Sequence, residues 1–153
     1  MQKFVKNRLN ESDIPQIMET EEEKLLSDRE LKNRNFTWAL QNLRGKTFVN
    51  KSIKTGILIS RDGLGEWKST TKSREQALSI RILHVLLKVA AYWKEKPHIP
   101  PDPNIEKVLY FKQHCKVNGK DYIAVITVKV YKAQGRHKYY HHYLDDFSLD
   151  TEK

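Results

Sequence analysis

The C-terminal third of the chain contains two strand-like segments that flank the dipeptide Asn118-Gly119. Residues 108–117 and 120–132 are rich in the β-branched and aromatic residues that favour strands. Asn-Gly is the strongest short signal for a two-residue type I′ hairpin, because both of its residues accept a positive φ. Gln134-Gly135 predicts a second turn before a third strand over 137–144. The sequence therefore predicts an antiparallel three-stranded meander.

These two turns predict which residues face each other across the meander. Two-residue loops place Thr127 opposite Tyr110 in the first hairpin and opposite His142 in the second, and they pair Tyr140 with Lys129. Since side chains alternate between faces, the predicted core face contains Leu109, Phe111, Tyr122, Ala124, Ile126, Val128, Tyr139, His141 and Tyr143. The predicted polar face contains Tyr110, Lys112, His114, Thr127, Lys129, Tyr140 and His142. A slip of one residue in either loop would exchange the faces of a strand.

The chain before Lys46 is typical of helices. Asn10 to Asp13 can cap a helix that begins near Ile14-Pro15, and Ser27 and Glu30 form a capping box for a second helix that ends near Gly45. The helical spacing of apolar residues in this second helix predicts a buried stripe, made of Leu31, Phe36, Ala39, Leu40 and Leu43.

After Lys46 the pattern changes to short strands over 47–50 and 56–61, and a turn-rich segment at 62–66 comes directly after the second strand. Ser73 then caps a long apolar helix predicted over 74–93, which a proline-rich connector ends. The predicted fold class is α+β, with a helical extension at 1–45, an α+β domain at 46–147 and an acidic tail at 148–153.

The positive charge is confined to one part of the chain. Acidic and basic residues cancel over 1–45, so residues 46–153 carry the whole formal net charge of +9. Such a domain favours a polyanion, with nucleic acid ahead of an anionic membrane; the alternative is a solvated, solubilising surface. Cys115 is the single cysteine and is predicted to be a buried strand residue, which together with the absence of a signal peptide predicts a cytoplasmic protein.

The predicted polar face carries the residue types that metal-free RNA cleavage needs. In that reaction the ribose 2′-hydroxyl attacks the adjacent phosphorus, a base and an acid move protons, and cations stabilise the developing charge. Histidine suits the proton transfer, lysine supplies fixed charge and tyrosine stacks on bases. The alternative is a strand rich in Tyr and His that is satisfied by ordinary cross-strand packing. No spacing of His or Cys residues is typical of a metal site, and no cofactor is predicted.

Several short motifs occur in a recognisable order. They are Lys54-Thr55-Gly56-Ile57, Ile59-Ser60-Arg61-Asp62-Gly63-Leu64, Ser73-Arg74-Glu75-Gln76-Ala77-Leu78, Val117-Asn118-Gly119-Lys120-Asp121-Tyr122 and Lys138-Tyr139-Tyr140-His141-His142-Tyr143-Leu144. The series, over about 46–147, resembles a domain of the large polyvalent proteins of phages and other mobile elements. That domain in turn resembles a branch of the barnase/EndoU/colicin/RelE-like nuclease superfamily.

The resemblance implies a curved antiparallel sheet that cleaves RNA without metal from one face. The family motif Tyr-x-His-x-Leu matches Tyr140, His142 and Leu144, which identifies His142 as the expected general acid or base. The expected catalytic residues are His142, Arg61, Lys129 and Tyr140. The expected nucleic-acid contacts are Lys112, Tyr110, His114, Lys54 and Lys72.

Two other functions remain open at this point. The same basic surface is compatible with a non-catalytic module that binds nucleic acid or protein. The neutral residues 1–45 are compatible with a toxin whose N-terminal helices contact a neutralising partner. Convergence of His142, Arg61 and a second proton-transfer group in one pocket would favour catalysis.

Overall fold

The computed structural model describes residues 13–147 and has an α+β fold. The predicted caps Asn10, Glu11 and Ser12 and the acidic tail at 148–153 lie outside the described residues. The strands are β1 (Gln16–Ile17), β2 (Thr47–Asn50), β3 (Thr55–Leu58), β4 (Ala91–Lys96), β5 (Ile105–Val117), β6 (Lys120–Tyr131) and β7 (His137–Asp146). The helices are α1 (Asp28–Asn42), α2 (Arg61–Thr70), α3 (Arg74–Ser79) and α4 (Leu83–Val89), with 3-10 turns at Glu23–Leu25, Ile80–Ile82 and Ala133–Gly135.

The strands form one curled, half-barrel sheet in the order β1-β5-β6-β7-β3-β2, with β4 also paired to β5. Strands β5, β6 and β7 are consecutive antiparallel neighbours, which confirms the predicted meander. The first hairpin has the predicted register, since Tyr110 pairs with Thr127. Its turn residues have φ values of 53° at Asn118 and 81° at Gly119, as a type I′ turn requires.

The helices cover one face of this sheet and bury the hydrophobic core between them and the strands. The largest fully buried side chains include Trp67, Tyr139, Phe111 and Leu31. Helix α1, which begins at the predicted Ser27–Glu30 capping box, contributes Leu31, Ala39 and Leu43 to this core. The helix of the predicted extension therefore packs in the same core as the sheet.

The segment before α1 does not form the predicted helix. Residues Gln16–Ile17 instead lie parallel to the end of β5, where Lys116 N donates to Pro15 O and Asn118 N donates to Ile17 O. The Arg74 side chain binds the segment between β1 and α1 through hydrogen bonds to the Glu19 carboxylate (2.8 Å) and to two backbone carbonyls. Pairing with a distant strand thus outweighs the local helix signals.

The segment at 62–66 is also not the predicted turn but the first half of helix α2. Ser60 caps this helix by accepting a hydrogen bond from Gly63 N (3.2 Å), and the helix buries Leu64 and Trp67 completely. The sequence did not predict this helix because Gly63 and Gly65 have a low helix propensity and are typical of turns.

The apolar stretch predicted as a single helix over 74–93 is divided into three parts. Helix α3 is followed by the 3-10 turn Ile80–Ile82, α4 ends at Val89, and β4 begins at Ala91. The stretch is apolar on nearly every side, so periodicity alone did not separate buried helix from strand. As a consequence, Tyr92 and Trp93 lie on a strand beside β5 rather than in the core. Among residues 13–147, no helix is long and apolar enough to span a membrane.

Candidate nucleic-acid site on the open face of the sheet

A β-bulge in β7 decides which side chains reach the face of the sheet that the helices leave open. Thr127 pairs with His141 and Val128 pairs with Tyr139, so Tyr140 is the extra residue. In a bulge, two residues of one strand oppose a single residue of its neighbour. Tyr140 and His141 therefore lie on the same face, where they line one cavity, and His142 turns into the core.

Three predictions about the second hairpin are wrong, because of this bulge and of a longer turn. His142 pairs with Ile126 instead of Thr127, and Lys129 pairs with Lys138 instead of Tyr140. His141 and Tyr143, which were expected in the core, lie on the open side, with Tyr143 44% exposed. The turn is longer than two residues, because Tyr131 N donates to Arg136 O across it. The longer turn alone preserves the predicted faces, and the bulge exchanges them from His141 onward.

His142 is completely buried in a closed chain of hydrogen bonds. The Ser79 hydroxyl donates to the carbonyl of Gln76 (2.8 Å), so Ser79 Oγ must accept from His142 Nε2 (2.7 Å). His142 Nδ1 is then the acceptor for the Tyr139 hydroxyl (2.7 Å). Burial, assisted by the neighbouring His141, lowers the pKa of His142 to about 3. The imidazole is neutral and has no contact with solvent, so the expected placement of His142 in a reactive site is wrong.

Gln76 joins the same region of β7 to helix α3. Its side-chain amide donates to His142 O, and its side-chain oxygen accepts from Leu144 N (2.9 Å). Ser73 caps α3 as predicted by accepting from Gln76 N, but the Gln76 side chain bonds to β7 instead of closing a capping box. These motif residues therefore form a structural joint between α3 and β7.

The open face contains a cavity of about 440 Å³ beside the bulge, named here the open-face pocket. Residues of β4–β7 and of the connector after β4 line it. Its polar and aromatic lining includes Lys96, His98, Tyr110, Lys129, Tyr140 and His141. The curl of the sheet encloses the floor of this face, where Thr127 is only 4% exposed.

Lys129, Tyr140 and His141 lie in contact within the pocket, and their surroundings determine the protonation state of His141. The Lys129 ammonium lies 3.7 Å from the centre of the Tyr140 ring. The rings of Tyr140 and His141 meet edge-on, with 4.7 Å between their centres. His141 Nδ1 is buried and has no hydrogen-bond partner among the described residues. Burial lowers the pKa of His141, an effect that Glu66 opposes and Lys129 reinforces. The imidazole is consequently neutral at pH 7 and able to accept a proton.

The lysine and tyrosine of the pocket are perturbed mainly by burial. Burial lowers the pKa of Lys129, whereas the charges of Glu66, Asp102 and Asp62 raise it. Burial also raises the pKa of Tyr140, with the Glu66 carboxylate as the next cause. Glu66 on helix α2 is therefore an acidic group that acts on the mainly cationic and aromatic pocket, together with Asp62 and Asp102.

A model of one protein family matches the chain over residues 27–143. The family is described as large polyvalent protein-associated domain 3. The chain belongs to this family. No curated protein and no solved structure matches the chain.

The polyvalent protein-associated domain spans the fold from the N-cap of α1 to the open-face pocket. Its first matched residue is Ser27, which caps α1, and its last is Tyr143, which lines the pocket. The match therefore includes helix α1, which the resemblance over about 46–147 had left out.

The domain brings together only part of the predicted site. Lys129, Tyr140 and Tyr110 line the pocket, and Lys112 lies near it with its ammonium 3.7 Å from the centre of the Trp93 ring. His114 is instead bonded to Asp121 (2.7 Å) and stacked on Phe147.

Three predicted residues lie elsewhere. Arg61 is exposed at the first position of α2, and Lys54 is exposed in the turn between β2 and β3 with a φ of 55°. Lys72 lines a separate cavity of about 540 Å³, together with Arg29, Lys32 and Lys68. None of the three lines the open-face pocket.

Sequence reasoning missed His141, His98, Lys96 and Glu66. The doublet His141-His142 showed that one histidine would face outward, but only a correct register could identify which. His98 and Lys96 lie in and beside the proline-rich connector, where no periodicity predicts a facing direction. Between residues 13 and 147, no group of three or more His, Cys, Asp or Glu side chains is placed to hold a metal ion. Cys115 is buried as predicted, and burial raises the pKa of its thiol to about 12.

Proposed function

We propose that this domain is a metal-independent endoribonuclease, with His141 rather than His142 as the principal proton-transfer residue. The observation that carries the proposal is the β7 bulge, which turns His141 into one pocket with Lys129, Tyr140 and His98. The resemblance to the barnase/EndoU/colicin/RelE-like nucleases, which also act from a sheet face, supports it. The substrate class is RNA, of the host or of a competing element, in the cytoplasm.

The pocket contains a group for each step of the reaction. Neutral His141 accepts the proton of the ribose 2′-hydroxyl as its oxygen attacks phosphorus, and Lys129 stabilises the negative charge on the phosphate oxygens. The bond from phosphorus to the 5′-oxygen breaks, which yields a 2′,3′-cyclic phosphate and a 5′-hydroxyl. His98 donates the proton that the 5′-oxygen needs. Its Nδ1 lies 2.6 Å from Pro100 O, which can only accept, so Nε2 is the nitrogen that exchanges the proton.

Cleavage in the presence of EDTA tests this proposal directly. The full chain is incubated with end-labelled single-stranded and structured RNA, and the products are resolved on gels. We expect His141→Ala to slow cleavage by about 100-fold or more, the scale of general acid–base catalysis. The matched control is His137→Ala, which removes another histidine of β7 whose Nδ1 bonds to Gly135 O outside the pocket. A wild-type chain that cleaves nothing, or a His141→Ala variant as active as wild type, contradicts the proposal.

A non-catalytic nucleic-acid-binding module is the second candidate function. The observation that favours it is a set of exposed and half-buried aromatic and lysine side chains on β4 and β5, outside the proton-transfer groups. Binding without cleavage in the same experiment would select this candidate. The neutralising protein partner expected for residues 1–45 stays a prediction.

A further inference from the structure

Strand β4 presents a tryptophan on the open face of the sheet. Trp93 is 43% exposed, which is unusual for so large an apolar side chain, and it lies at an irregularity in the pairing of β4 with β5. Its ring meets Tyr110 edge-on, with 6.5 Å between the ring centres. The neighbouring Tyr92 packs on the opposite side of the strand against the core residue Phe111.

Lysines surround this pair of rings. The ammonium of Lys112 lies 3.7 Å from the centre of the Trp93 ring, and that of Lys94 lies 4.0 Å from it. The ammonium groups of Lys94 and Lys96 lie 5.7 Å and 5.8 Å from the Tyr110 ring. Trp93, Lys94, Lys96, Tyr110 and Lys112 are named here the basic aromatic strip.

The charge of the strip is of one sign. The ionisable groups that lower the pKa of Lys94, after burial, are the two other lysines of the strip. Glu95, the carboxylate between Lys94 and Lys96 in the sequence, is bonded instead to Lys107 (3.2 Å). A ligand that neutralises Lys94 and Lys96 must therefore be an anion.

The strip is continuous with the open-face pocket. Lys96 and Tyr110 belong to both, so a chain that lies along the strip enters the pocket without crossing another element. The strip and the pocket together therefore form one elongated surface with a cavity at one end.

We propose that the basic aromatic strip binds single-stranded nucleic acid, with an unpaired base stacked on Trp93 and the phosphates beside its lysines. This inference deepens the proposed function, because it identifies unpaired RNA as the substrate that reaches the pocket. Stacking requires a base whose face is free, which duplex RNA does not offer, and lysines along an aromatic platform are the usual means of holding a single strand.

Fluorescence anisotropy with a 2′-O-methyl RNA of about 12 nucleotides tests the strip apart from cleavage. Its blocked 2′-oxygen cannot attack phosphorus, so binding is measured on the intact chain with no reaction. We expect Trp93→Ala to weaken binding about tenfold, the scale of one lost base stack. Trp93→Phe should recover part of the loss. The matched control is Tyr92→Ala, which removes a ring of similar exposure (41%) from the other side of the same strand.

Several results would overturn the inference. The first is equal affinity for the RNA in wild type and Trp93→Ala, and the second is an equal loss of affinity in Trp93→Ala and Tyr92→Ala. The others are equal affinity for the single-stranded RNA and its duplex, and binding to anionic vesicles but not to RNA. If circular dichroism shows that Trp93→Ala is not folded, the double variant Lys94→Gln/Lys96→Gln replaces it in the same assay. Loss of cleavage in His141→Ala with unchanged binding in Trp93→Ala would contradict binding by the strip and support the nuclease proposal. Weaker binding in Trp93→Ala without any cleavage by wild type would support binding by the strip and contradict the nuclease proposal.

Discussion

His141 and His142 are neighbours in the sequence and yet have opposite environments. The ring of His142 is completely buried and bonded through both nitrogens, whereas His141 lines a pocket and its Nδ1 has no partner among the described residues. The difference arises from one extra residue, Tyr140, in the pairing of β7 with β6. At the scale of residues, backbone geometry thus determines that His141 lines the pocket and that the motif histidine His142 lies in the core.

The buried His142 makes stability depend on pH. Its pKa in the folded chain is about 3, whereas the ordinary value of 6.5 applies in the unfolded chain. Between these values only the unfolded chain binds the proton, so the free energy of unfolding falls as the pH falls through this window. We expect the fall between pH 7.5 and pH 5 to be smaller in His142→Phe, as measured by urea denaturation.

The same substitution also lowers stability at neutral pH. Phe leaves the buried Tyr139 hydroxyl without its acceptor, at a cost of about 1–3 kcal/mol. His137→Phe is the control and should keep the pH dependence of the wild type. An identical pH dependence in wild type and His142→Phe would show that the imidazole does not titrate as the structure implies.

At the scale of elements, helix α2 lies unusually close to β7. A Cβ atom at Gly63 would come within 2.1 Å of the carbonyl oxygen of Tyr139, which is backbone and cannot turn aside. We expect Gly63→Ala to lower the free energy of unfolding by about 1–3 kcal/mol because the helix must move away from the strand. Thermal or urea unfolding measures the change.

Gly65, two residues further along the same helix, is the matched control. No atom lies within 4 Å of the Cβ position there. Gly65→Ala should therefore leave stability unchanged or raise it by up to about 1 kcal/mol, the helix preference of alanine over glycine. Equal effects of the two substitutions would rule out the close approach of α2 and β7.

Arg74 fastens the segment before α1 to the rest of the fold. Its guanidinium bonds to the carboxylates of Glu19 and Asp28 and to the carbonyls of Glu23 and Leu26. We expect Arg74→Gln to release this segment, so that trypsin cleaves after Lys24 faster than in wild type. Gels of timed digests measure the rate.

The control for Arg74 is a surface ion pair of the same region. Arg34 bonds to Glu22 at 3.2 Å with both side chains at least half exposed, and such pairs contribute little to stability. Arg34→Gln should therefore digest like wild type. Cleavage of Arg74→Gln at the wild-type rate would mean that β1 and its backbone bonds hold the segment without the guanidinium.

At the scale of the whole molecule, the effect of the net charge of +9 on ligand binding depends on where the basic residues lie on the surface. Lysines of β4, β5 and β6 border the open-face pocket and the basic aromatic strip. A second basic group, formed by Arg29, Lys32, Lys68 and Lys72, lines the cavity between α1 and α2. Part of the positive charge therefore lies on two separate surfaces, and salt dependence can show how much of it contacts the ligand.

Binding of the 2′-O-methyl RNA should weaken linearly in a plot of log K against log salt concentration. Each phosphate contact on a single strand contributes about 0.7 to the slope. We expect Lys94→Gln/Lys96→Gln to reduce the slope by about 1.4, the amount for two contacts. Trp93→Ala should lower the affinity and leave the slope unchanged, since tryptophan carries no charge. An unchanged slope in the double lysine variant would place the bound phosphates elsewhere, with the α1–α2 cavity as the next surface to mutate.

The sequence by itself determined the α+β class, the β5–β6 register, the turn at Asn118-Gly119 and the caps at Ser27 and Ser73. Each of these depends on interactions between residues close in the chain, whose backbone preferences do not require distant partners. The β1 segment and β4 were mispredicted because their strands form only by pairing with β5, far away in the sequence.

Only the tertiary structure decided which histidine faces the pocket. The bulge at Tyr140 lets β7 keep Tyr139 and His142 in the core, where Ser79 and Gln76 of helix α3 bond to the ring and backbone of His142. No local pattern encodes that choice, because a strand with rings and imidazoles on both faces fits either register equally well until the helix packs against it.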